Sequence, residues 1–251
     1  MEEACVIAGL GVVGSNTARL FGIKKIFDLN GSTITLEEAA KCKYCFIALP
    51  TNVLEDGTYD TRDIEATIKQ LEGYGGAGIY ILRSTVWPGF ANHLMDILGI
   101  DRIVSNPEFL SEATAWQDTK SPPFILLGGA ADRFLQEVRG IYEARVKGAN
   151  VILTDNKTAE MAKLAMNAYF STKVIFANQL YDVCTNQGAN YEKVKEILER
   201  HPFGPRNHFD VYFKGKRGIH GKCLPKDTRA FNHYTEMELT KKVMEINQIL
   251  K

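Results

Sequence analysis

Ala4-Cys5-Val6-Ile7-Ala8-Gly9-Leu10-Gly11-Val12-Val13-Gly14 joins a short apolar run to three glycines spaced G-x-G-x-x-G, and a helix-period stretch opens directly behind them. In this strand-turn-helix context each glycine has a task. Gly9 permits the tight turn, Gly11 lets a pyrophosphate approach the backbone, Gly14 lets the helix pack on the strand, and the helix N-terminus faces the negative charge. A glycine turn without a ligand needs none of this context. Asp28 ends the next apolar run, nineteen residues after Gly9, where a carboxylate accepts hydrogen bonds from ribose hydroxyls. A carboxylate there repels a 2′-phosphate, so the expected cofactor is NAD rather than NADP.

Outward from this unit, short β-branched and aromatic runs alternate with helix-period stretches as far as residue 154. Strands are expected at Ala4–Ala8, Lys25–Asp28, Tyr44–Leu49, Ile79–Arg83, Arg102–Ser105, Phe124–Leu127 and Val151–Leu153. Helices are expected at Val12–Gly22, behind the capping box Thr35-x-x-Glu38, and at Arg62–Gly73, Phe90–Leu98 and Arg133–Ala144. The pattern predicts a Rossmann-type α/β domain, residues 1–154, with a doubly wound, mostly parallel sheet. The rest, residues 155–251, is expected to be all-helical: Lys157–Gln187, Tyr191–Arg200, a Gly- and His-containing loop from His201 to Lys222, and helical pattern from Pro225 onward. On the long helix, Met161, Leu164, Ala165, Ala168, Thr172, Ile175 and Leu180 form one apolar stripe. Phe170, Val174, Ala177 and Tyr181 form another on roughly the opposite side. Two apolar faces call for two packing partners, one of them expected to be a second copy of the chain.

Composition narrows the class. The 251 residues are 45% hydrophobic and 24% charged, enough for a real core and at most two domains. Thirty Lys+Arg balance thirty Asp+Glu, so no overall positive field favours nucleic acid or an anionic membrane. No apolar run approaches the ~18 residues of a membrane helix and no leader pattern opens the sequence, which predicts a soluble, cytoplasmic protein. Cys5, Cys42, Cys45, Cys184 and Cys223 are an odd, scattered set, which argues against a disulfide framework. Cys42 and Cys45 make a C-x-x-C without a second ligand pair at zinc spacing, so no metal is expected.

Several groups carry chemistry. In Cys223-Leu224-Pro225-Lys226-Asp227, Pro225 suits the first helical position. Cys223 would then precede a helix N-terminus, where the dipole and Lys226 favour thiolate, with Asp227 as an acid/base partner in the first turn. A small residue ahead of a helix fits the same pattern, so nucleophile and spacer both stay open. Lys163 and Asn167, spaced i, i+4, share a face that continues as Phe170, Val174 and Ala177. They read either as a solvated pair or as two polar groups held in a buried face. Glu108 and Glu112 follow the strand at Ile103 and so lie on the ligand side of an open sheet, unless they are simply solvated. Ser84 and Thr85 reach the same edge, offering a hydroxyl near the nicotinamide.

Taken in order, GLGVVG, ALPTNVLEDGTYDT, STVWPG, NPEFLSEATAWQD, AEMAKLAMNAYFSTKVIFANQLYDVC and GIHGKCLPKDT resemble the nucleotide-sugar dehydrogenases, the UDP-glucose and GDP-mannose 6-dehydrogenase family, over residues 5 to about 235. The resemblance implies an NAD-dependent, four-electron oxidation of a sugar C6 alcohol to the carboxylate through aldehyde and thioester stages. It makes Cys223 the nucleophile, Lys163 and Asn167 the groups that steady a developing oxyanion, Thr85 and Asp227 the holders of a water, and Glu108 the general acid/base. It also implies cofactor contacts from Gly9, Gly11, Val12, Val13, Gly14, Asp28, Pro50, Thr51, Thr85, Glu112 and Lys226, and a homodimer built on the long helix.

The sequence also departs from the family. Members continue for well over a hundred residues into a second Rossmann-like domain that binds much of the nucleotide, and this chain ends before it. The segment Asn30–Lys43 is short. His220 and Lys222 replace a glycine and a serine, while Asn52 and Trp87 each replace a proline. The expectation is a catalytic core without its substrate lid, slow on UDP-glucose or GDP-mannose by itself, with a partner chain supplying the lid or a smaller sugar as substrate. The alternatives are a β-hydroxyacid dehydrogenase-like enzyme, which shares the K-x-x-x-N helix but makes one hydride transfer without a cysteine, and an NAD-binding subunit without catalysis.

Overall fold

The computed structural model describes residues 1–205 and 207–250; Arg206 and Lys251 lie outside it. Its first unit comprises residues 1–52 and 59–163. In chain order its elements are β1 (Ala4–Ile7), α1 (Val12–Phe21), β2 (Lys25–Phe27), α2 (Leu36–Ala40), β3 (Tyr44–Ile47), α3 (Arg62–Gly73), β4 (Ile79–Leu82), α4 (Phe90–Leu98), β5 (Ile103–Ser105), α5 (Ala115–Lys120), β6 (Ile125–Gly129), α6 (Asp132–Glu143) and β7 (Val151–Thr154). The seven strands form one sheet in the order β2-β1-β3-β4-β5-β6-β7. All neighbours are parallel except β5 and β6. The strand order reverses between β1 and β3, and the crevice outside their carboxyl ends is where such sheets hold ligands.

Strands covered on both faces explain the continuous apolar runs. Cys5, Ile7, Cys45, Ile47 and Leu82 pack against Ile64, Ile68 and Leu71 of α3 and Phe90 and Leu94 of α4. The alternate residues Ala4, Val6, Phe46 and Ile81 pack on the other face against Phe21 of α1 and Val138 of α6. Every expected strand is present, within two residues at each end. The capping box is formed as well: Glu38 N–H donates to Thr35 Oγ1 and Thr35 N–H to Glu38. Helix α5 was not anticipated. It is one and a half turns long, and its start is stitched by Asp118, which accepts from Ser111 N–H and the Thr114 hydroxyl rather than by a capping pattern at its own end.

The second unit comprises residues 53–58 and those from Leu164 onward. It holds most of α7 (Asn156–Asn186), α8 (Tyr191–Arg200), a small hairpin of β8 (Tyr212–Phe213) and β9 (Lys216–Arg217), α9 (Leu224–Thr235) and α10 (Glu238–Ile249). The hairpin interrupts what the sequence presented as a loop. The helical pattern after Pro225 is two helices, not one, because Glu236 turns left-handed (φ 50°) to close α9. No glycine marks that stop, so the sequence carried no signal for it.

The two apolar stripes of α7 are largely covered within the chain. Val174 and Ile175 pack with Ile219, Leu224 and Val243. Leu180 and Tyr181 pack with Cys184, Tyr191, Val194 and Val211. This corrects the argument that one stripe awaits a second copy. The apolar residues that α7 leaves exposed are instead Tyr169, Phe176 and Val183, each more than half accessible and seven residues apart. Among the described residues no helix is long and apolar enough to cross a membrane.

Candidate active site

The glycine turn is built from close contacts. A Cβ on Gly14 would lie 2.3 Å from the Ala8 carbonyl oxygen, and one on Gly9 would lie 2.6 Å from Ile26 Cγ2. Gly11 differs, because a Cβ there would meet nothing nearer than 3.9 Å. Gly9 and Gly14 therefore close the turn on itself, whereas Gly11 faces open space as the N-cap of α1, where no side chain caps the helix. Those amides suit an anionic diphosphate. Val12 and Val13 are the first two residues of α1. Asp28, just past β2, accepts from Leu10 N–H (3.0 Å) and Asn30 N–H (3.0 Å). The Asn30 and then the Leu10 amide hold its carboxyl below the ordinary carboxylate range, so it remains an anion beside the turn. This open, amide-lined turn with a carboxylate at its side fits NAD.

The loops after β3 and β4 meet at the sheet's carboxyl end. Thr51 donates through its hydroxyl to the Thr85 carbonyl (2.6 Å), and the Ser84 hydroxyl donates to Leu49 (2.7 Å). Pro50 stays exposed beside them. Thr85, Ser105, Glu160 and Lys163 line one small cavity. Lys163 Nζ lies 3.4 Å from Glu108 Oε1, and both side chains are buried or nearly so. Glu108 also accepts from Leu110 N–H (2.8 Å), which fixes the carboxylate against the lysine. Glu112 remains exposed and is not drawn into this pair.

In the second unit, Cys223 is the N-cap of α9, exposed and outside any disulfide, whereas the other four cysteines are buried. Leu224 takes the first helical position and Pro225 the second, one place later than the sequence suggested. Asp227 is 1% exposed. It accepts from Asn167 Nδ2 (2.6 Å) and pairs with Lys226 Nζ (2.7 Å), so Lys226 is turned toward Asp227. Ser171 and Thr228, both fully buried, share a further hydrogen bond (2.6 Å) and lock α7 to the first turns of α9. Lys163 and Asn167 lie one turn apart on the uninterrupted helix α7.

Glu160 escaped the sequence reading. Glu160 is 3% exposed and accepts from Gly89 N–H (2.6 Å), Ala91 N–H (3.1 Å) and the Ser105 hydroxyl (2.9 Å). It thus ties the loop that follows Thr85 to the end of β5 and to α7. Its spacing of three from Lys163 and seven from Asn167 was the available signal, since all three fall on one helical face. Burial pushes its carboxyl up to about 7, against the pull of the Gly89 and Ala91 amides.

Residues 157–249 match the sequence model of the UDP-glucose/GDP-mannose dehydrogenase family, central domain, and residues 23–146 that of the same family's NAD binding domain. The chain belongs to the UDP-glucose/GDP-mannose dehydrogenase family. A UDP-glucose 6-dehydrogenase of Pseudomonas aeruginosa is 31% identical over 215 residues, covering 80% of this chain and 46% of the relative. One of Streptococcus pneumoniae is 28% identical over 217 residues, 82% of this chain and 54% of the relative. The chain thus spans about half the length of the curated relatives it matches. The fold is shared with a UDP-glucose dehydrogenase from the archaeon Pyrobaculum islandicum, at a TM-score of 0.85 and 24% identity, over 99% of this chain and 68% of that one.

Two predictions follow from the geometry. Because the folded state raises the Glu160 pKa above its ordinary value of 4.5, the group favours folding below that pH and loses its contribution as pH rises through about 7. Glu160→Gln should therefore gain stability relative to the parent between pH 5 and 8, by up to roughly 3 kcal/mol, read by urea denaturation; parallel profiles would refute the assignment. Asp28→Ala should weaken NAD binding and narrow its margin over NADP in calorimetric titration, and a parent protein that binds both equally would remove the role given to Asp28.

Proposed function

We propose that this chain carries the catalytic core of an NAD-dependent oxidation of the C6 alcohol of a nucleotide sugar, or of a smaller sugar, to the carboxylate. The observation that carries the reading is the pairing of Lys163 with Glu108 and of Asn167 with Asp227 on successive turns of α7, in a chain whose exposed Cys223 caps the helix bearing Asp227. A buried lysine and a buried carboxamide suit an oxygen that gains negative charge, and an exposed thiol at a helix N-terminus suits a nucleophile.

NAD, held by the Gly9–Gly14 turn and Asp28, would accept one hydride in each of the two oxidations. The residues supply the rest. By the family resemblance, Thr85 and Asp227 are assigned to the water that takes the hydroxyl proton in the first oxidation, and Lys163 and Asn167 to steadying the oxygen. Cys223 Sγ then adds to the aldehyde carbon, and the same two residues hold the resulting oxyanion. Loss of the second hydride leaves a thioester. Glu108 draws a proton from water, which adds to the thioester carbon; the C–S bond breaks and the Cys223 thiolate is restored. Pro50, Thr51, Glu112 and Lys226 complete the cofactor surroundings in this reading. A reducing compartment, the cytoplasm, suits a nucleophilic thiol outside any disulfide. The exposed row Tyr169, Phe176 and Val183 is assigned to a homodimer, with a separate chain admitted as a further contributor to the substrate site.

Purified protein with nucleotide sugars should form two NADH per substrate consumed, whereas one would favour a hydroxyacid dehydrogenase-like reaction. Cys223→Ser should stop at or before the acid-forming stage, and Glu108→Gln should accumulate a substrate adduct on Cys223 detectable by mass spectrometry. Full acid production by Cys223→Ala would end the covalent reading. Sedimentation should give about twice the 28.0 kDa chain mass, falling to the monomer in Phe176→Glu; a monomeric parent would remove the dimer.

A further inference from the structure

The loop that delivers Cys223 leaves β9 at Arg217 and reaches α9 through Gly218, Ile219, His220, Gly221 and Lys222. Its path is set by two asparagines on other helices. Asn178 of α7 accepts through Oδ1 from Gly218 N–H (3.3 Å) and from Arg217 Nε (3.1 Å), while its own Nδ2 donates to Val174 within α7. Asn247 of α10 accepts through Oδ1 from Ile219 N–H (2.6 Å). The two are 0% and 1% exposed. A buried amide costs folding energy unless it finds an acceptor, so two consecutive loop amides held by two buried side chains leave this stretch little freedom.

Four further contacts close the arrangement. Arg217 donates to the Asn178 carbonyl (2.9 Å) and pairs with Asp182 (2.8 Å). His220 Nε2 lies 2.5 Å from the Arg217 carbonyl, bending the loop back on itself. Ile219 sinks its side chain among Ile175, Val243 and Leu224, the residue next to the cysteine. Gly218 adopts φ +87°, and a Cβ there would lie 2.5 Å from Asn247 Oδ1, so a larger residue would be strained and would also press on the latch.

We propose that Asn178 and Asn247 are positioning residues for Cys223: together they latch the Gly218–Ile219 backbone and so hold the sulfur at the first turn of α9. The assignment rests on the reading of Cys223 as nucleophile. Loosening the latch lets the sulfur leave the helix N-terminus, where the backbone amides favour the reactive anion.

The test is alkylation of the native 251-residue chain by iodoacetamide at neutral pH, with the rate at Cys223 read by peptide mass mapping, alongside NADH formation and thermal melting. Asn247→Ala should slow alkylation at Cys223 roughly fivefold, the order expected when a thiol loses helix-terminus stabilisation. It should also lower kcat while leaving KM for NAD unchanged. Asn247→Asp, which keeps the acceptor for Ile219 N–H, should restore both. Wild-type alkylation in a folded Asn247→Ala protein, or equal impairment of the Asp and Ala variants, overturns the proposal. If Asn247→Ala does not fold, Gly218→Ala decides: slowed alkylation supports the latch and an unchanged rate overturns it. A parent chain that forms no NADH from any nucleotide sugar, yet shows this alkylation pattern, removes the proposed reaction and leaves the latch supported.

Discussion

Helix α7 buries an unusual amount of polarity along one face, and much of the structure around it answers that constraint. Asn156, Glu160, Lys163, Asn167, Ser171 and Asn178 recur at helical spacing, and none is more than 6% exposed. Each must find a partner or destabilise the fold. The partners come from scattered places in the chain: Ser105 N–H for Asn156, the Gly89 and Ala91 amides for Glu160, Glu108 for Lys163, Asp227 for Asn167, Thr228 for Ser171, and the Gly218 amide for Asn178. Within the first unit this face organises the end of β5 and the loop before α4, and within the second unit the start of α9 and the loop that carries Cys223.

That arrangement accounts for the low tolerance expected along this face. A buried lysine is held by the carboxylate beside it, and removing either partner leaves an uncompensated charge in an apolar setting. The same low-dielectric surroundings make a fixed cation and a fixed carboxamide effective against a developing oxyanion, because they need no reorganisation when the charge appears. The features that make these groups costly to bury are therefore those that make them useful in the proposed chemistry.

The glycine turn applies the opposite principle, keeping backbone polar groups available instead of satisfied. Gly9 and Gly14 draw the turn tight, and Gly11 leaves the N-terminus of α1 uncovered by any side chain. Asp28 is held ionised by one amide of that turn, Leu10, and one of its own loop, Asn30. In the role proposed for Asp28, the choice between dinucleotides would rest on a single anion fixed by local backbone geometry, with no part for the longer-range network around α7.

The sheet, its dinucleotide turn and most helix ends were legible in the residues alone, because they depend on period-two and 3.6-residue patterns and on local capping. Arg62–Gly73, Phe90–Leu98 and Tyr191–Arg200 could be bounded to the residue for that reason. Cys223, Lys163, Asn167 and Glu108 stood out by motif and by likeness to a family. What the sequence could not supply was partnership. Asn178 and Asn247 carry no local mark, and Glu160 only the helical face it shares with Lys163 and Asn167, since a carboxylate or carboxamide in a helix is usually solvated; their partners lie between 28 and 71 residues away. The left-handed stop at Glu236 and the closure of both α7 stripes were equally out of reach, for each depends on which surfaces meet. Sequence determined the elements and the chemistry-bearing side chains, because these follow from short-range pattern; tertiary packing alone decided which polar groups are buried together, because the cost of an unpaired buried group can be met only by residues that the fold brings in from elsewhere.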